Sequence, residues 1–162
     1  MNIIFLDVDG VLNSHNKLIS VYNKTRKPHS GYNYPFDEEC LENLRILVQL
    51  TNSKLVITST WRIDDVGITT LLNVLKIYNL DKEVIGYTPI LGKKRELEIK
   101  EFLSSFNKEI NFIILDDDAD FNELLPYLVK TNIQTGLSRN DIEIAVKKLK
   151  KSKKKKEDFD SI

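Results

Sequence analysis

Residues 2–6, Asn-Ile-Ile-Phe-Leu, form a short apolar run. A run this short and nearly unbroken predicts a strand covered on both faces, as in a parallel sheet. Leu55-Val56-Ile57 and Phe112-Ile113-Ile114-Leu115 repeat the pattern. Glu83-Val84-Ile85-Gly86 is a weaker version closed by Thr88-Pro89, and Val129 marks the start of a last short strand. Between these runs the apolar period becomes helical. Asp37 reads as an N-cap, with Glu38 and Glu39 in a first turn that favours acids, and Leu41, Leu44, Leu47 and Val48 follow. Leu71, Leu72, Leu75 and Tyr78 mark a second helix, and Leu97, Ile99, Phe102, Leu103 and Phe106 a third. Residues 120–128 predict a short helix broken at Pro126. Ser138 with Asp141 resembles a capping box, opening a helix that runs into a lysine-rich end. Residues 14–36 show no clear period. Tyr22, Tyr32, Tyr34 and Phe36 lie there among Asn, Lys, His and Pro, which predicts a long loop with at most one short element.

Strands alternating with helices predict an α/β fold of three layers around a mainly parallel, Rossmann-like sheet. The length of 162 residues suits one domain, expected over residues 1–150. Residues 151–162 are expected to form a lysine-rich tail without fixed structure. A hydrophobic share of 41% with 30% charged residues excludes collagen, coiled coil and full disorder. The single cysteine, Cys40, excludes a disulfide scaffold and favours a reducing compartment. No apolar run reaches the length of a membrane span, and the N-terminus lacks a basic leader region, so a cytoplasmic protein without a membrane partner is expected. The formal net charge is zero, yet residues 1–146 hold 16 Lys and Arg against 21 acids. Eight lysines between 147 and 156 restore the balance.

Folds of this class bind ligands beyond the carboxyl ends of the strands, so the residues just after each strand carry the chemistry. The first strand ends in Asp7-Val8-Asp9-Gly10, the second in Thr58-Ser59-Thr60, and the strand at 112–115 in Asp116-Asp117-Asp118. Lys93-Lys94-Arg95 opens the helix before that last strand. Each piece has an ordinary explanation in turn chemistry, helix entry or surface charge. Together and in this order, acids, hydroxyls and a cation fall on the edge where the fold builds sites. Paired carboxylates after a buried strand need compensation, and a hard divalent cation is one compensator.

That ordered set resembles the haloacid dehalogenase (HAD) superfamily of phosphotransfer enzymes. The first motif of that superfamily is matched by Phe5-Leu6-Asp7-Val8-Asp9-Gly10-Val11-Leu12-Asn13, the second by Leu55-Val56-Ile57-Thr58, and the fourth by Ile113-Ile114-Leu115-Asp116-Asp117. Thr58-Ser59-Thr60-Trp61-Arg62, Thr88-Pro89, Arg95-x-x-Glu98-Ile99 and Thr135-Gly136-Leu137-Ser138 are similar to the HAD domain of Swiss Army Knife RNA repair proteins, and to the phosphatase half of polynucleotide kinase–phosphatases.

The resemblance implies a HAD-like phosphatase with only a small flap, residues 14–36, instead of a cap domain. Asp7 is then the nucleophile and Asp9 the general acid and base, a pairing that weighs against dehalogenation. Mg2+ is the implied cofactor, with Asp7, Asp9, Asp116 and Asp117 as its ligands. Thr58, with Ser59 as the alternative, donates to a phosphoryl oxygen. Counting back from Ile99 favours Arg95 over Lys94 as the cation of the third motif. Gly10, Thr60, Trp61 and Arg62 are the expected substrate contacts. Trp61 and Arg62 are equally compatible with a core Trp and a solvated Arg, or with a platform and an anion clamp. The implied substrates are phosphorylated RNA or DNA ends, reached through an open cleft, with any kinase or ligase partners on separate chains. A phosphatase of nucleotides or other small phosphates, and a non-catalytic phosphate- or nucleic-acid-binding module, are the alternative readings.

Overall fold

The structure, a computed structural model, describes the backbone of residues 1–159 and the side chains of residues 1–151. Strands β1 (Asn2–Leu6), β2 (Ser53–Ile57), β3 (Val84–Tyr87), β4 (Asn111–Asp116) and β5 (Leu128–Lys130) form a parallel sheet in the order β3-β2-β1-β4-β5. The α-helices are α1 (His15–Thr25), α2 (Glu38–Thr51), α3 (Asp65–Ile77), α4 (Arg95–Ser104) and α5 (Arg139–Phe159).

The unbroken apolar runs become strands because the sheet is covered on both sides. Ile3 to Leu6 are all fully buried, and successive residues serve opposite faces. Ile4 and Leu6 join a core with Leu44 and Leu47 of α2, Leu71 and Leu75 of α3, and Ala145 and Leu149 of α5. Ile3 and Phe5 join a second core with Ile99 of α4 and with Phe121 and Leu128 beyond β4. Phe5 meets Phe102 and Phe112 edge-on, with ring centroids 5.8 and 5.6 Å apart. Asp37 caps α2 by accepting from the Glu39 amide at 3.1 Å. Ser138 and Asp141 cap α5 reciprocally, the Asp141 carboxylate accepting from the Ser138 amide at 2.8 Å.

Several elements differ from expectation. Residues 14–36 contain the eleven-residue helix α1 and a 3-10 turn at Gly31–Asn33. Ser14 caps α1 by accepting from the Lys17 amide, and no α1 residue is fully buried, Leu18 and Val21 being half-buried. Residues 120–128 form no α-helix, only a 3-10 turn at Leu125–Tyr127. Pro126 has no N–H for the Asn122 carbonyl, which accepts instead from the Leu125 amide three residues on, and the Glu96 carboxylate takes the amides of Asn122 and Leu124. In α4, Leu97 is exposed while Glu96 and Glu98 are buried. The backbone of the lysine-rich end is helical as far as Phe159. The expectation of a tail without fixed structure otherwise falls on side chains 152–159 and residues 160–162, outside the described residues. Among the described residues, no helix is long and apolar enough to cross a membrane.

The chain steps from β1 outward to β2 and β3, then crosses to β4 and β5 on the other side. The order therefore reverses between β1 and β4, and such a switch point leaves a crevice at the carboxyl ends of the two strands.

Candidate active site

Parallel register aligns the residues just past β1 and β2 with the last residue of β4 in a polar row at this edge. Leu6 pairs with Ile57 on one side and Leu115 on the other. The next residues follow: the Thr58 amide donates to the Leu6 carbonyl at 2.9 Å, and the Asp7 amide donates to the Leu115 carbonyl at 3.0 Å. Thr58, Asp7 and Asp116 thus lie side by side across three strands. The carboxylates of Asp7, Asp116 and Asp117 converge, each offering an oxygen within 4.8 Å of the others.

Arg95, the first residue of α4, reaches into this group. Its Nη1 lies 3.0 Å from Asp7 Oδ2 and also pairs with Asp116 Oδ2. Burial pushes the Asp7 carboxyl up from 3.8 to about 6, with Arg95 opposing the shift and Asp116 adding to it. Burial likewise raises Asp116 and Asp117 above the usual carboxylate range. Burial alone would lower the Arg95 pKa, but Asp7 and Asp116 outweigh it and hold the guanidinium charged. Three acids face one cation, and Asp117 has no ion pair among the described residues. An all-oxygen donor set with surplus negative charge fits a hard divalent cation.

Asp9 is built differently. Its carboxylate is exposed, and accepts from Asn13 Nδ2 at 2.7 Å and Trp61 Nε1 at 3.1 Å. Asn13 also accepts from the Gly10 amide at 2.9 Å, closing a small loop around the turn. Gly10 sits at φ +74°, and a Cβ there would lie 2.6 Å from Asp117, so only glycine lets the two motifs approach. The Gly10 carbonyl accepts from Thr131 Oγ1 at 2.7 Å. Trp61 is buried, with Tyr32 and Phe36 packed edge-on against it. The aromatic part of the 14–36 segment therefore fixes an indole whose N–H fixes Asp9.

The Thr58 hydroxyl is fully buried and has no hydrogen-bond partner among the described residues. Leaving such a group unpaired costs about 1–3 kcal/mol, so it is a donor waiting for an acceptor. Ser59 is buried too, but its Oγ caps the following 3-10 turn by accepting from the Trp61 amide. Thr60 is exposed at the start of that turn.

Arg62 is buried, and all three guanidinium nitrogens are engaged. Nε donates to the Thr88 carbonyl, Nη1 to the carbonyls of Thr58 and Ser59, and Nη2 to the Pro89 carbonyl and Glu98 Oε2. Arg62 therefore braces the strand ends of β2 and β3 from beneath, and Trp61 is not an exposed platform. Lys94 points to solvent and pairs with Asp120 at 2.9 Å.

Of the residues expected at the site, Asp7, Asp116, Asp117, Arg95 and Thr58 come together, with Asp9 and Gly10 on the adjoining turn. Ser59, Trp61 and Arg62 lie behind them, and Lys94 and Thr60 stand apart. Asn13, Glu96 and Glu98 were not expected among the functional side chains. Asn13 and Glu98 sit inside the matched motifs, which was the available signal; Glu96 carried none.

Cys40 is buried in α2, and burial pushes its thiol up to about 12, which makes it inert. No curated protein and no solved structure matches the chain. A family model described as the HAD domain in Swiss Army Knife RNA repair proteins matches residues 3–142, from β1 into the first turn of α5. That span contains every residue of the cluster described above, and the chain belongs to this family of HAD domains.

Proposed function

We propose that the protein is a Mg2+-dependent phosphomonoesterase that works through an aspartyl-phosphate on Asp7, acting on phosphorylated nucleic-acid ends. The observation that carries this reading is the convergence of Asp7, Asp116 and Asp117 on Arg95, beside an unpartnered buried Thr58 hydroxyl. In the first step an Asp7 carboxylate oxygen attacks phosphorus, and the bond from phosphorus to the leaving oxygen breaks. Asp9 gives that oxygen a proton. In the second step Asp9 takes a proton from water, the water oxygen attacks phosphorus, and the bond to Asp7 breaks to release inorganic phosphate. Asn13 and Trp61 hold the Asp9 carboxylate on the solvent side of Asp7 for both transfers. Thr58 donates to one phosphoryl oxygen, and Arg95 offsets charge on the transferring group. Asp7 and Asp117, with the Asp9 carbonyl and with Asp116 directly or through water, are the groups to hold Mg2+. The ion supplies charge neutralisation where an anionic substrate meets an anionic site.

The nucleic-acid substrate is supported by the family's place in RNA repair proteins and by the small size of the 14–36 segment, which is no enclosing cap domain. The test is phosphate release from p-nitrophenyl phosphate and from oligonucleotides phosphorylated at the 5′, 3′ or 2′ position. Turnover that requires Mg2+, stops with EDTA and favours one oligonucleotide end is the expected result. Turnover that persists in EDTA overturns the metal assignment, and preference for free nucleotides overturns the substrate assignment.

A further inference from the structure

Residues 10–36 hold four Lys and Arg and no acid, although they directly follow the Asp7 motif. The rest of the chain up to residue 146 holds 12 Lys and Arg against 21 acids. The acid-free segment is thus a cationic strip on an acidic body. Lys17 is spent on Glu38. Lys24, Arg26 and Lys27, at the far end of α1, are exposed and form no ion pair among the described residues.

One depression borders the carboxylate cluster at Asp117, and another borders these cations at Lys24. The first, of 390 Å3, is bordered by Asp117, Lys130, Thr131, Asn132 and Ile133. The second, of 510 Å3, lies along one face of α1 and is bordered by Asn16, Ile19, Ser20, Asn23 and Lys24. The segments that border them are hydrogen-bonded to each other: the His15 amide donates to the Ile133 carbonyl at 3.0 Å, and the Asn16 amide to the Gln134 carbonyl at 3.1 Å. Amide and hydroxyl side chains with flanking cations are the groups that contact sugars and phosphates. Ile19 and Tyr22 stay exposed on α1, and an exposed tyrosine is a surface on which a base can stack. With eleven residues, α1 runs about 16 Å, enough to follow a few nucleotides.

We propose that the two depressions and the Lys24, Arg26 and Lys27 cluster form a track for the single strand that leads away from the phosphorylated end. This rests on the nucleic-acid reading of the site and adds where the strand runs. The track binds backbone without reading sequence, because its cations meet phosphates and its one exposed aromatic accepts any base.

The test compares the full chain with a Lys24→Glu, Arg26→Glu, Lys27→Glu triple variant, whose melting temperature reports that it folds. The substrate is a single-stranded ten-nucleotide RNA carrying phosphate at the end the wild type dephosphorylates. The expected result is a KM raised about tenfold or more with kcat little changed, so that kcat/KM on RNA relative to p-nitrophenyl phosphate falls by about the same factor. The logarithmic salt slope of RNA binding should drop by about 2, for three lost single-strand phosphate contacts. If the wild type acts on RNA ends and the variant keeps both its ratio and its slope, the track is overturned while the substrate reading stands. If the wild type acts on p-nitrophenyl phosphate and on no RNA or DNA end, the substrate reading fails and the track with it.

Discussion

Asp7 shows how one residue sets function against stability. Its carboxyl is buried at a point where Asp116 is a neighbour, and its pKa of about 6 lies above the ordinary 3.8. The folded state therefore binds a proton more tightly than the unfolded chain does. Stability from this group grows as pH falls through about 6, and above that value the folded protein carries the full cost of a buried charge. Replacing Asp7 with Asn removes the proposed nucleophile and the charge together. Turnover of p-nitrophenyl phosphate should fall at least about a hundredfold, since the proposed acyl-phosphate forms on Asp7. In EDTA at pH 8 the same variant should melt several °C higher than wild type, at about 2–4 °C per kcal/mol for a chain of this length. The advantage should shrink as pH is lowered from about 6 to 4. A variant that keeps a tenth of the activity, or melts lower than wild type at pH 8, contradicts the role given to Asp7.

At the scale of elements, the site depends on how α4 and the 3-10 turn after β2 lock the strand ends. The first turn of α4 sends Arg95 into the cluster, Glu96 to the loop after β4, and Glu98 to Arg62. Arg62 and Glu98 side chains are 4% and 8% exposed, so breaking this pair leaves an uncompensated charge. Arg62→Met should cost about 3–5 kcal/mol and lower the melting temperature by roughly 10 °C. Adding Glu98→Gln should recover part of the loss by removing the stranded charge. It should not recover all of it, because the carbonyls of Thr58, Ser59, Thr88 and Pro89 stay without their donor. A drop of under 2 °C for Arg62→Met would mean the brace carries little.

The same elements explain what the sequence could disclose. Strands buried on both faces leave continuous apolar runs, so β1, β2 and β4 were legible, and with them the acids and hydroxyls that follow. Helix α1 has apolar residues at helical spacing, Leu18, Val21 and Tyr22, but buries none of them fully, and the polar residues among them mask the period. In the segment after β4, Pro126 withholds the donor that would extend a helix, and a distant carboxylate, Glu96, holds the amides of Asn122 and Leu124. Trp61 and Arg62 look alike in sequence whether they face solvent or core. Their direction is set by the aromatic rings of Tyr32 and Phe36 and by carbonyls contributed from β2 and β3, contacts that no local pattern records.

At the scale of the whole molecule, charge is divided by region. The body is acidic where it gathers the carboxylates, and eight lysines lie between 147 and 156. Leu149 is the last buried residue of α5 among those described, and its carbonyl accepts from Asn111 Nδ2 at 3.0 Å. The backbone of the helix continues beyond it to Phe159, and six of the eight lysines lie past Leu149 in the sequence. A polycation attached to an acidic body raises the local concentration of an anionic polymer without reading its sequence. Each phosphate contact adds about 0.7 to the logarithmic salt slope on single strands and about 0.9 on duplex. Deleting residues 150–162 removes six of the eight lysines and three acids. The salt slope of oligonucleotide binding should therefore fall by about 1 or more, while hydrolysis of p-nitrophenyl phosphate stays within about twofold, since no group proposed for the chemistry is lost. An unchanged slope in the shortened chain would mean that these lysines serve solubility alone, and that association with nucleic acid rests on the cations of residues 10–36.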